Sequence, residues 1–393
     1  RLAQVSYVQK DPVTYETLLT EALASGEGPD LFLLRQDYVV RDVGKVIPIP
    51  YNFLSQSQFE DVFVESARPY LSQSGVLGIP ILVDPIVLYW NRDMLGSAGF
   101  AKPPQYLDEF PGVAGKVVKR DDSGRIVKAA VALGEYGNID HAKDILSLLI
   151  LQAGGTITRK DNTERLVPSL SARTVGQTSQ AGESALRFYS EFADPSKIHY
   201  SWNRSLSSSR AAFAAGDLAL YFGYASEARI IARTNPNLNF AAAPVPQGRD
   251  RNSINVAHVY ALAISRTSRN PVGARTVASL MADTGLARSL SFALGIPSAR
   301  RDVLNAIVTC DECPRQGTNC PKKVQAQCAG VSISPNDVLF TKQAIIARSW
   351  IDPDPEKTSD IFRAMIESVT SGAARYAEAI GRADQQMAQI IGQ

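Results

Sequence analysis

The stretch LYFGYASEARII (residues 220–231) puts a glycine, a tyrosine and a carboxylate where a buried strand surfaces. It follows RAAFAAGDLA (210–219), which predicts a helix closed by a Gly–Asp turn, and Leu218–Phe222 then read as a short buried strand. Core packing needs none of Gly223, Tyr224 and Glu227 at that point, whereas a binding site would use all three. Glycine lets the chain turn. A tyrosine offers a ring face and a hydroxyl. A carboxylate accepts hydrogen bonds from a ligand, or alternatively caps the helix EARIIAR. Asp84, in ILVDPIVLYW, is an acid inside an apolar run, where unpartnered burial costs several kcal/mol. Trp202 lies in the polar loop HYSWNRSLSSS, company that does not mark it as core. Asp37 follows the strand-like LFLL and is either a cap for the next turn or a ligand group. Asn138, opening a helix, and Phe340, near a helix start, carry the same ambiguity between cap or core and contact.

Catalytic patterns are missing around these residues. The three histidines, His141, His199 and His258, are not spaced as a metal pair, and no His-Glu-x-x-His occurs. No Walker loop and no Gly-x-Ser-x-Gly elbow is present. Cys310-x-x-Cys313 does not sit on a strand-to-helix turn of the redox type. The chemistry on offer is binding of a polar solute, and no enzyme, metal or cofactor is expected. A formal net charge of +2 argues against a nucleic-acid surface. No run of about 18 apolar residues is present to span a membrane.

All four cysteines fall in CDECPRQGTNCPKKVQAQC (310–328), a polar, Pro- and Gly-containing stretch that reads as an insertion loop. A four-thiolate zinc site would use the Cys-x2-Cys pair but usually wants a second close pair, which the remaining spacings do not supply. Two disulfides outside the cytoplasm fit better, with three pairings open. The chain opens on Arg1, and LAQVSYV alternates like a strand from the start. This implies a chain that lost an N-terminal piece by processing or incomplete recovery, so that a missing signal segment is no argument for the cytoplasm.

The chain's 393 residues exceed what one core usually serves, and strand-like and helix-like runs alternate, so an α/β protein of two domains is expected. The pattern restarts near residue 110 and turns polar around 245–258. The first lobe is therefore expected to hold 1–107 plus 258–330, with the cysteine insert 310–328, and the second 108–257 plus 331–393.

PILVDPIVLYWNRDMLGSAGFAKPPQYLDEF (80–110), FAAGDLALYFGYASE (213–227) and VYALAISRTSRNPVGARTVASLMAD (259–283) stand in register along the chain. Together they resemble segments of the extracytoplasmic sugar-binding proteins of ABC importers, the maltose-binding-protein-like family. The resemblance implies a two-lobed periplasmic-binding-protein fold of type II, with hinge crossings and a ligand cleft. It implies a monomer that delivers a sugar or oligosaccharide to a membrane permease, in the periplasm or as a lipoprotein anchored at the outer face of the membrane. Asp37 then lies at a strand end lining the cleft, Asp84 near the ligand or bonded within a hinge, and Tyr224 as the aromatic stacker. Glu227, Asn138, Trp202 and Phe340 complete the expected ligand set. The alternatives are a peptide or other polar solute, or a cell-surface binding protein outside transport. Two features depart from the family: the strand and helix that precede LAQVSYV there are not in this chain, and the cysteine insert is not part of the general pattern.

Overall fold

The computed structural model describes residues 4–172, 180–249, 251–313, 320–321, 328 and 332–392. Its local logic is clearest around the tyrosine strand. Ser208 accepts from the Ala211 N–H and so caps the helix Ser209–Ala215, which Gly216 closes at φ 80. The strand that follows is Leu218–Tyr224, and every residue in it is buried, as in a strand covered on both faces. It runs past the expected Phe222. Gly223 and Tyr224 are therefore ladder residues, opposite Val87 and Ile86, and not a turn.

The chain divides into two compact units, Arg1–Val83 with His258–Ile333 and Asp84–Ala257 with Ser334–Gln393. The first division falls at 83/84, not after residue 107. It lies inside the strand Ile79–Asn91, where an unbroken apolar run leaves no mark of a boundary. The pattern restart near 110 marks only the helix Phe110–Val117.

In the first unit the strand Leu31–Arg35 pairs antiparallel with Asn255–Ile264, from Leu31 opposite Ile264 to Arg35 opposite Tyr260. The buried Tyr70 hydroxyl lies between two strand carbonyls, 2.7 Å from Leu34 O and 2.8 Å from Val259 O. Helices Tyr15–Ala24, Gln56–Val62, Pro271–Met281, Thr284–Leu294 and Arg301–Glu312 accompany these strands. The alternating Gln4–Lys10 segment is not a strand. It has no ladder partner among the described residues, and Val5, Tyr7 and Val8 are exposed. Alternation alone cannot hold a strand without a neighbour to satisfy its backbone.

In the second unit the tyrosine strand lies between Ile79–Asn91, antiparallel to it, and Ile126–Val131, parallel to it. Phe240–Ala243 extends the sheet beyond Ile79–Asn91, and Lys119–Arg120 extends it beyond Ile126–Val131. The helix Ala142–Gln152 buries most of its length, Ile145–Ile150 included. Its first turn is tied down by Lys143, whose ammonium donates to Asp352 Oδ2 at 2.6 Å and to Thr358 Oγ1 at 2.7 Å. Phe110, Leu146, Tyr189, Phe192, Phe213 and Phe362 form the centre of this core.

The cysteine insert begins as a helix and not as a loop, since Cys310 lies in Arg301–Glu312 and Cys313 caps it. The sulfurs pair as Cys310–Cys328 and Cys313–Cys320, one bridge nested within the other. Residues 314–319 and 322–327 lie outside the described residues. Peptide mapping of the unreduced protein should recover these two pairs, and the intact mass should be four hydrogens below that of the reduced chain. Crossed pairs, or four free thiols, would contradict the nesting.

Candidate functional site

Glu227 is the centre of the polar cluster in the second unit. It follows the tyrosine strand in the short helical turn Ala225–Glu227 and is only 4% exposed. Its carboxylate does not cap the following helix. Oε2 accepts from the Tyr221 hydroxyl at 2.6 Å, and Oε1 lies 2.6 Å from His141 Nε2 and 3.7 Å from the Arg210 guanidinium. Burying a carboxylate demands such partners.

The packing explains Gly223. A Cβ at that position would come within 2.5 Å of the Tyr221 ring and 2.6 Å of Glu227 Oε2. The glycine serves close approach of the Tyr221–Glu227 pair, not the chain turn that the sequence suggested. Tyr224 is buried in the core of this unit, in a T-shaped contact with the His141 ring whose centroids lie 4.7 Å apart. The Tyr89 hydroxyl donates to Tyr224 O at 2.7 Å and so fixes the strand end.

Asp84, the first residue of this unit, joins the cluster through the Ser226 N–H, 3.0 Å from its Oδ1. Burial pushes its pKa up to about 6, the Ser226 hydrogen bonds hold it down, and the Glu227 charge adds to the rise. His141 is the member that sequence reasoning missed. Burial opposes its protonation, but the hydrogen bond and charge of Glu227 prevail and raise its pKa, with help from Asp144 and Asp140. Its backbone adopts φ 64 at the N-cap position of Ala142–Gln152, so Asn138 is not the cap that its place in the sequence suggested.

Asn138 and Trp202 bond to one another. The indole Nε1 donates to Asn138 Oδ1 at 3.1 Å, and the Asn138 amide donates to Asn203 O and Leu206 O. Trp202 is fully buried in the core of the unit, so it is a packing residue and not an open wall. The polar loop around it is tolerated because Asn138 satisfies its one donor. Phe340, on the helix Pro335–Ile345, is likewise core. In the first unit, Asp37 follows its strand in the turn Gln36–Tyr38, where Arg35 grips it with two hydrogen bonds of 2.6 and 2.7 Å. The Arg35 guanidinium lies 5.0 Å from the Tyr38 ring. Of the expected ligand set, the fold thus gathers Asp84, Tyr224 and Glu227 around one point, sets Asn138 and Trp202 beneath a loop, and leaves Asp37 in the other unit. Among the described residues, no group of three or more His, Cys, Asp or Glu side chains could hold a metal ion, and no helix is long and apolar enough to cross a membrane.

The cluster thus sets polar groups beside an aromatic ring at a strand end of a mixed α/β unit. The model of the bacterial extracellular solute-binding protein family matches residues 3–286, and the chain belongs to that family. A binding protein of Brucella abortus is 26% identical over 100 residues, which are 25% of this chain and 24% of that one. The match thus spans about a quarter of the length of the curated relatives. The fold is that of the periplasmic-binding-protein-like α/β proteins. It is similar to an ABC transporter solute-binding protein from Thermotoga lettingae solved with alpha-D-tagatose, with a TM-score of 0.69, 20% identity, and 97% of this chain and 90% of that one covered. It is also similar to a cyclic alpha-maltosyl-1,6-maltose binding protein from Arthrobacter globiformis, with a TM-score of 0.72, 15% identity, and 96% and 88% covered.

Two outcomes are expected from these contacts. Asp84 binds its proton more tightly folded than unfolded, so its contribution to stability is full at low pH and falls as pH rises from 3.8 to about 6. Urea unfolding of wild type and Asp84→Asn should therefore converge or cross over that interval, by up to about 3 kcal/mol in relative stability. Parallel curves would contradict the assignment. Tyr224→Ala should lower unfolding stability by about 3–5 kcal/mol, as for a buried ring. Gly223→Ala should lower it by about 1–3 kcal/mol through overpacking. Unchanged melting in both variants would mean that this strand end is not packed as described.

Proposed function

We propose that the chain binds a sugar or oligosaccharide outside the cytoplasm, closes its two units on it, and hands it to the membrane permease of an ABC importer. The observation that carries the reading is the convergence of Tyr224, Asp84, Glu227 and His141 at one strand end. Hydroxyl-rich solutes ask for such polar groups beside an aromatic ring. Membership of the solute-binding family supports it. The sugars named for the two similar structures, a tagatose and a cyclic maltosyl-maltose, support the substrate class. Disulfides suit an oxidising compartment. The protein acts as a monomer, without catalysis, metal or cofactor, and without nucleic acid as a partner. Asp37, gripped by Arg35, is the first unit's contribution to recognition.

Titration calorimetry against maltotriose, maltotetraose, D-tagatose and a set of short peptides tests the reading. One sugar should bind at a stoichiometry of about one and be recovered unchanged. Binding of peptides alone would move the assignment to a peptide carrier, and turnover of a bound sugar would overturn it in favour of an enzyme.

A further inference from the structure

We propose that His141 reads a hydroxyl of the bound solute through its Nδ1, and that Glu227 is a positioning residue that aims the imidazole instead of touching the ligand. The inference rests on the sugar-binding reading above and deepens it.

Both oxygens of Glu227 are already engaged, Oε2 by Tyr221 and Oε1 by His141, with Arg210 at 3.7 Å. At 4% exposure it has little left to offer a solute. His141 is the reverse case. Nε2 is held at 2.6 Å, Nδ1 has no hydrogen-bond partner among the described residues, and 22% of the side chain is exposed.

Folding alone does not call for a histidine at this position. Its φ of 64 suits glycine or asparagine better. Its side chain makes no capping bond to the helix Ala142–Gln152. A cation at a helix N-terminus also opposes the helix dipole. Three unfavourable features at one residue, held by a built set of partners, mark a site where function outweighs local stability.

The partners come from every side. Asp140, beside His141 in sequence, accepts from Ser209 Oγ and the Arg210 N–H, which stitches the loop to the helix Ser209–Ala215. Asn138 O accepts from the Ser209 N–H. The charged and titratable groups around the ring are Glu227, Arg210, Asp140, Asp144 and Asp84, with the Tyr221 and Tyr224 rings on the strand.

The chemistry follows from the anchored nitrogen. A carboxylate at Nε2 keeps a proton there, so the protonated ring carries Nδ1–H as a charge-assisted donor for a hydroxyl oxygen. Tyr224, packed in a T-shaped contact against the same ring, buttresses the imidazole from the core side. As pH rises through the raised pKa of His141, Nδ1 loses its proton and the contact loses its charge. Affinity therefore falls with rising pH, and so does the stability that the His141–Glu227 pair contributes.

The test uses the whole chain, with maltotriose, maltotetraose and D-tagatose as probes, over about pH 5.5 to 8.5. His141→Asn, which tolerates the same backbone, should weaken binding about tenfold or more and lower the unligated melting temperature through the lost Glu227 contact, so affinity is compared well below the melting range of both proteins. Glu227→Gln should lower the His141 pKa read by imidazole NMR, and the pH at which affinity declines should move down with it. In wild type, saturation with the probe should raise the His141 pKa, a measurement that needs no variant to fold. A wild type that binds a probe while His141→Asn binds it equally well would overturn the role of His141 and leave the sugar reading standing. So would a His141 titration that does not respond to the probe. A wild type that binds no probe would overturn the sugar reading and the inference with it.

Discussion

A carboxylate buried at the end of a β-strand is the constraint on which the second unit's site depends. Leaving Glu227 unpartnered would cost several kcal/mol, so the chain brings three groups to it from three elements. Tyr221 comes from the same strand, His141 from the start of a helix, and Arg210 from the helix before the strand. Each partner then imposes its own demand. The Tyr221–Glu227 contact leaves no room for a side chain at 223. The His141–Glu227 contact holds a residue with a Cβ at φ 64.

That geometry is precise because its supports are rigid. The tyrosine strand lies between two others and is buried along its whole length. The loop before the histidine is held by Asn138, which spans to Trp202 and to the 203–206 carbonyls. The helix after it is locked by the buried Lys143–Asp352 pair. Groups placed on regular elements and backed by a second set of hydrogen bonds keep their positions better than groups on free loops. Trp202 and Asn138 thus act on the site through its scaffold.

The likeness to solved binding proteins at 15–20% identity has a physical basis in the same core. Cores accept exchange among apolar residues of similar volume as long as pattern and total volume are kept. The run ILVDPIVLYW and the helix ILSLLIL keep the pattern without needing particular residues. Polar residues inside such runs have no such freedom, and Asp84 is held by a specific N–H from Ser226.

The sequence by itself determined the periodic features: the α/β alternation, the helix stopped by Gly216, the buried strand after it, and the family resemblance of three segments in register. It also pointed to Asp84, Tyr224 and Glu227, because a polar residue inside or just after an apolar run is anomalous wherever it is read. Only the tertiary structure decided what those residues touch. His141 looked like one more polar residue in NIDHAKD, and its meaning comes from Glu227, far away in sequence. Trp202 looked exposed because its neighbours in the chain are serines, yet its neighbours in space are the core. Gly223 looked like a turn, yet it serves a close approach of side chains. The division at 83/84 left no trace because a strand can leave one unit and enter another without changing its hydrophobic pattern. Local pattern records burial and period, which are properties of a segment. Partnership between distant groups depends on which segments fold together, and no single segment carries that information.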